Sequence, residues 1–109
     1  MKTEYKDFYP NGQLEWFVPF DENEKPHGEA TQYYPTGEVK KKKTYSHGKI
    51  VGDEIQYFRN GVVMAVLPFV DGWKHGTYRT FYESGALESE TDYDFAVMKG
   101  RPRRYADSQ

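Results

Sequence analysis

The sequence predicts an all-β protein: an elongated, twisted antiparallel meander of about four stacked β-hairpin repeats, about eight strands, single-layer or curled. Three observations predict it. Gly12, Gly37, Gly61 and Gly85 are spaced 25, 24 and 24 residues apart. Gly28, Gly52, Gly76 and Gly100 are spaced 24 throughout. An aromatic doublet ends three residues before each glycine of the first series. One hairpin cannot bury an apolar face alone, so neighbouring copies must support each other. The copies read as 5–32, 33–56, 57–80 and 81–105, within a single repeat domain spanning 1–109.

Each copy opens on its doublet and a turn: Phe8-Tyr9-Pro10-Asn11-Gly12, Tyr33-Tyr34-Pro35-Thr36-Gly37, Tyr57-Phe58-Arg59-Asn60-Gly61 and Phe81-Tyr82-Glu83-Ser84-Gly85. Glycine there accepts positive φ without steric cost, and proline presets the turn. An outgoing strand follows, with columns at steps of two. They are Leu14, Val39, Val63 and Leu87; Trp16, Lys41, Ala65 and Ser89; Val18, Lys43, Leu67 and Thr91; Phe20, Tyr45, Phe69 and Tyr93. Strand alternation predicts one face for these columns and a solvated face for Glu15, Lys40, Lys42, Glu88, Glu90 and Asp92. His47-Gly48 and Asp71-Gly72 then suit a hairpin bend. The return strand leads to the next doublet, with Tyr33, Tyr57 and Phe81 facing one way and Tyr34, Phe58 and Tyr82 the other. Gly12, Gly28, Gly37, Gly52, Gly61, Gly76, Gly85 and Gly100 are the expected structural turns.

The copies differ. The first carries the longer, acidic connection Asp21–Pro26. The second puts Lys41 and Lys43 among apolar positions, where an open face or snorkelling would spare them. The fourth replaces its second turn with Phe95-Ala96-Val97-Met98. A short helix at Arg101–Ser108 is an alternative ending, against which Pro102 argues.

The composition bounds function. Hydrophobic residues are 37% and aromatics 17% of 109 residues, with ten Tyr and seven Phe. The apolar material sits in rings, which suits a thin sheet. There is no cysteine, which excludes disulfides and thiolate metal sites and is compatible with a cytoplasmic setting. The N-terminus has no signal-peptide pattern, and Val62–Val70 is too short to span a bilayer. A net charge of −2 disfavours a general nucleic-acid binder. Charge alternates along the chain: −5 over 1–39, +4 over 40–60, −4 over 61–94 and +3 over 95–109. Such blocks either pattern a partner surface or neutralise neighbouring hairpins.

The segments Tyr33-Tyr34-Pro35-Thr36-Gly37 through Gly48-Lys49-Ile50-Val51-Gly52 to Tyr57-Phe58, and Val70-Asp71-Gly72-Trp73-Lys74-His75-Gly76 to Phe81-Tyr82, resemble the MORN-repeat variant family of bacterial proteins. The resemblance spans residues 5–105. It implies antiparallel sheets that act as protein-interaction modules, some of them antitoxins. Eukaryotic relatives imply scaffolding and membrane-lipid contact. It carries over no catalytic residues.

The residues themselves offer no catalytic constellation. His27 and His75 precede ladder glycines and could share an edge, with His47 elsewhere. Two imidazoles without cysteine make a poor metal site, and turn residues explain them as well. Glu88, Glu90 and Asp92 read as one solvated strand face rather than acid–base machinery. The expectation is therefore a non-enzymatic protein binder without cofactor or metal, most concretely an antitoxin- or immunity-like inhibitor or a scaffold. Its contact residues would be Tyr34, Phe58, Tyr82, Tyr33, Tyr57 and Trp73. The alternative is an anionic surface, lipid headgroup or RNA, held by Lys40, Lys41, Lys42, Lys43, Arg101, Arg103 and Arg104. A homodimer is compatible with either.

Overall fold

A computed structural model describes residues 2–107. No helix occurs among them. Ten strands form one open sheet: β1 Glu4–Phe8, β2 Leu14–Pro19, β3 Gly28–Tyr33, β4 Val39–Ser46, β5 Lys49–Tyr57, β6 Val63–Val70, β7 Trp73–Lys74, β8 Gly76–Phe81, β9 Leu87–Asp94 and β10 Val97–Arg104. Neighbours in sequence are neighbours in space, all antiparallel, with the two-residue β7 pairing β6 ahead of β8. The expected all-β meander is observed, with ten strands in place of eight. β1 adds a strand before the first turn, and His75 divides one return strand into β7 and β8. The chain continues as strand through Arg104 where a helix was the alternative; Ser108 lies outside the described residues.

The doublet turns repeat in detail. The amides of Gly12, Gly37, Gly61 and Gly85 donate to the carbonyls of Tyr9, Tyr34, Phe58 and Tyr82 at 2.9, 2.9, 3.0 and 2.8 Å. The amides of those four aromatics donate to the carbonyls of Gln13, Glu38, Val62 and Ala86. All four glycines have positive φ, from 88° to 103°. Asn11 and Asn60 Oδ1 each accept the amide two residues on.

The opposite edge holds two-residue turns at His47-Gly48, Asp71-Gly72 and Phe95-Ala96. Both residues of each are left-handed, at φ 45° and 92°, 51° and 88°, 45° and 72°. Such turns match the twist of the flanking strands. The fourth copy thus keeps its second turn, contrary to the expectation from sequence, and does so without glycine. Each turn amide also reaches back to the preceding repeat. Gly48 donates to Pro26 at 2.7 Å, Gly72 to Ile50 at 2.8 Å and Ala96 to Lys74 at 2.7 Å.

Gly28, Gly52, Gly76 and Gly100 prove to be strand residues rather than turns. All have positive φ, and the ladder is interrupted opposite Gly52 and Gly100. At Gly28 and Gly76 a side chain would also be crowded: an added Cβ would lie 3.1 Å from Pro19 Cγ and from Pro68 Cγ.

The first column is the main departure from strict alternation. Each hairpin slips register just before its doublet, at Asp7/Phe8, Gln32/Tyr33, Gln56/Tyr57 and Thr80/Phe81. The outgoing strand carries one extra residue there: Glu15, Lys40, Met64 or Glu88. A bulge of this kind aims the extra side chain to the same side as its successor. The front face therefore holds Trp16, Lys41, Ala65 and Ser89 together with Glu15, Lys40, Met64 and Glu88. Leu14, Val39, Val63 and Leu87 cross to the back face, paired with Phe8, Tyr33, Tyr57 and Phe81. Contacts agree: Gln32 Nε2 donates to Glu15 Oε2 at 3.2 Å, and Lys40 lies over the Tyr34 ring.

The molecule measures 48 × 34 × 16 Å. Nine strands side by side at about 4.8 Å span roughly 43 Å, and the least extent, 16 Å, fits a single twisted layer. Ala30 and Ala65 are the only hydrophobic residues buried among the described residues, and no large side chain is fully buried. Backbone pairing and half-buried rings hold the sheet, in place of a closed core.

Candidate functional site

The second residue of each doublet ties one repeat to the next. Tyr9 Oη donates to the Tyr33 carbonyl at 2.6 Å, Tyr34 Oη to Tyr57 at 2.5 Å and Tyr82 Oη to Tyr105 at 2.8 Å. Phe58 holds the same place without a hydroxyl. These rings lie half-buried on the front face, along one edge of the sheet.

Cations cover the rings in the first half of the front face. Lys40 Nζ and Arg59 Cζ stand 5.7 and 5.5 Å from the Tyr34 centroid. Lys43 Nζ is 5.2 Å from the Trp16 ring and 5.6 Å from Tyr45. This stacking accommodates a lysine at an otherwise apolar position, because it keeps the ammonium group wet over aromatic faces.

In the second half Lys74 Nζ lies 5.2 Å from the Tyr93 ring, but among the described residues no cation stands over Phe58, Tyr78 or Tyr82. Phe58, Met64, Tyr78, Tyr82, Glu83 and Glu88 line a shallow groove of about 480 Å³. Thr80 Oγ1 donates to Glu88 Oε1 at 2.9 Å and orients it. Beside the groove, Glu54 is 8% exposed and accepts from Gln56 Nε2 at 2.9 Å. Burial first, then Tyr93, Glu54 and Glu88, raise the Tyr78 hydroxyl above its ordinary pKa. Among the described residues no cation pairs with Glu54, Glu83 or Glu88.

The back face is crossed by ion pairs. Arg79 Nε donates to Glu90 Oε2 at 2.9 Å, and Arg103 Nη1 to Asp92 Oδ2 at 3.0 Å. Hydrogen bonds from Tyr105 and then Arg79 hold Glu90 below the usual carboxylate pKa; those from Arg103 and Thr77 do the same for Asp92. Glu88 is separated from Glu90 and Asp92 by its bulge, so the three do not share a face as alternation suggested.

The histidines also fall differently. His47 is not remote from His27: their rings stack at 4.2 Å, and His27 Nδ1 accepts the His47 amide at 3.1 Å. His47 Nδ1 donates to Asp21 Oδ2 at 2.7 Å. Asp21, in the acidic connection, also accepts the amides of Asn23 and Lys25. These bonds, that of His47 foremost, lower its pKa to about 2. His75 repeats the stack on Phe95 at 4.3 Å. No cluster of three His, Cys, Asp or Glu side chains suited to a metal occurs among the described residues.

The six expected contact residues do not share one surface. Tyr34, Phe58 and Tyr82 are on the front, Tyr33 and Tyr57 on the back. Trp73, 56% exposed, pairs with Val70 near the turn edge. The lysine run divides likewise, with Lys40, Lys41 and Lys43 in front and Lys42 behind. Arg103 is engaged by Asp92 and Glu90, whereas Arg101 and Arg104 lie exposed on β10.

The repeat geometry accords with the match of a family model described as MORN repeat variant, over residues 3–15, 26–47 and 74–94. These segments make up just over half of the chain. The chain belongs to the MORN repeat variant family. No curated protein and no solved structure matches it. The MORN model passes over residues 48–73, yet the turn at Gly61 reproduces its neighbours bond for bond. The inter-repeat hydroxyl bonds were not foreseen, although three tyrosines in register were the available signal. A MORN repeat sheet suggests a repeat-based binding module, and no helix among the described residues is long and apolar enough to cross a membrane.

Proposed function

We propose that this MORN repeat protein is a non-enzymatic protein-binding module that docks a partner on its front face, around Tyr34, Phe58 and Tyr82. One observation carries the reading: a single-layer sheet leaves its aromatic rings half-buried, with no second layer of its own to cover them. Large rings with few rotamers are suited to anchoring a partner, and exposed apolar strips on a sheet favour association. Scaffolding or inhibition by steric occlusion follows from the same contact. An antitoxin- or immunity-like inhibitor is its most specific form, supported by the family resemblance.

The test is capture of the partner from the native host by the tagged chain. The triple variant Tyr34→Ala, Phe58→Ala, Tyr82→Ala should lose the partner while Tyr33→Ala, Tyr57→Ala retains it. Retention by a folded triple variant would remove the front face from the contact.

A further inference from the structure

We propose that the groove between Phe58 and Tyr82 is a cation-accepting site that takes a lysine or arginine side chain from a basic segment of the partner protein. The inference rests on the protein-binding reading and specifies its chemistry.

The argument comes from comparing one repeat with the next. Around Tyr34, two cations of the chain itself cover the ring, Lys40 six residues on and Arg59 in the following doublet turn. The corresponding positions around Phe58 are Met64 and Glu83, and both line the groove beside Phe58. The same bulge and turn that present Lys40 and Arg59 present these two. The aromatic site is therefore repeated, but its internal cations are replaced by a polarizable thioether and a carboxylate.

What remains suits an external cation. Phe58, Tyr78 and Tyr82 supply aromatic rings, whose faces attract ammonium and guanidinium groups. Glu83 and Glu88 supply charge, and Thr80 fixes Glu88 toward the groove. Glu54 adds a negative charge beside it that no cation among the described residues neutralises. A methionine beside the rings lets the wall adjust to a long aliphatic stem. Of the six carboxylates in residues 61–94, Asp71, Glu90, Asp92 and Asp94 are ion-paired elsewhere, so the charge at the groove is that of Glu83 and Glu88 with Glu54 beside them, complementary to a basic segment.

The experiment is a nuclear magnetic resonance titration of the full chain with end-blocked tetralysine, its side-chain-acetylated form, and choline. Tetralysine should give saturable shifts centred on Phe58, Met64, Tyr78 and Tyr82, and the acetylated peptide none. Glu83→Gln with Glu88→Gln should weaken binding roughly tenfold or more, the scale of a lost charge-assisted contact. Met64→Lys with Glu83→Arg, which rebuilds the self-covered ring of Tyr34, should abolish it with the fold intact. Shifts spread over every acidic patch, or insensitive to both double variants, would overturn the site. Choline binding as tightly as tetralysine would overturn the assigned source. Partner capture lost in the front-face triple variant but unchanged by Glu83→Gln with Glu88→Gln would overturn this inference and leave the protein-binding reading standing.

Discussion

Tyr34 donates its hydroxyl to the backbone carbonyl of Tyr57 at 2.5 Å, one repeat ahead. The bond belongs to a series. Tyr9 and Tyr82 make it too, and Phe58 interrupts it. In a sheet without a closed core, such bonds between successive hairpins carry an unusual share of the cohesion.

Removing the hydroxyl should therefore be felt. Tyr34→Phe is expected to cost about 1 kcal/mol, the net value of a typical intramolecular hydrogen bond. Phe58→Tyr should complete the series toward the Phe81 carbonyl and gain a similar amount. Urea unfolding of the two variants beside the parent chain measures both.

The glycine-free turn offers a second test. Ala96 holds φ at 72°, a conformation that costs a side chain of this hand roughly 1–2 kcal/mol. Its counterparts are Gly48 and Gly72. Ala96→Gly should raise the unfolding free energy by about 1 kcal/mol, most of that strain being relieved. The amide bond to Lys74 should be kept. Urea unfolding reads the gain, and amide exchange at residue 96 reads the bond.

Gly76 should behave in the opposite sense. It combines φ of 116° with a Cβ position 3.1 Å from Pro68 Cγ. Gly76→Ala is expected to destabilise by roughly 1–3 kcal/mol. In the double variant with Pro68→Ala the steric part should be recovered and the conformational part retained. Thermal unfolding of the single and double variants separates the two.

Acid should loosen the Asp21 loop. The folded pKa of Asp21, about 2, lies below its ordinary 3.8. The ionised carboxylate is thus favoured by folding, and its contribution is present above about pH 4. That contribution is lost as pH falls through about 4 toward about 2. Asp21→Asn should flatten the acid limb of the stability curve over this window relative to the parent. Urea midpoints measured across and above the window provide the check.

Much of the fold was legible because turns repeat by residue type. Glycine at fixed spacing after Asn, Thr or Ser announced the four doublet turns, and alternation placed Tyr34, Phe58 and Tyr82 opposite Tyr33 and Tyr57. The bulge was not legible. Lys40 and Met64 look like ordinary strand residues, and only the register between two strands reveals that one is extra. That single residue moved Val39 and Leu87 to the back face and separated Glu88 from Glu90. The Phe95-Ala96 turn was hidden because neither residue favours positive φ; its hydrogen bond to Lys74 and the His75 stack hold it there. Asp21, His27 and His47 are brought together by a loop whose path the sequence does not specify. At the candidate site the rings were visible, whereas the exchange of Lys40 and Arg59 for Met64 and Glu83 gained meaning only once both pairs were seen beside equivalent rings.

Oxidative footprinting of the chain, free and with its captured partner, addresses the protein-binding face most directly. Protection of Tyr34, Phe58, Tyr78 and Tyr82 in the complex, with Tyr33 and Tyr57 as reactive as in the free chain, is the expected result. Protection confined to the back-face rings, with the front face as reactive as before, would contradict it.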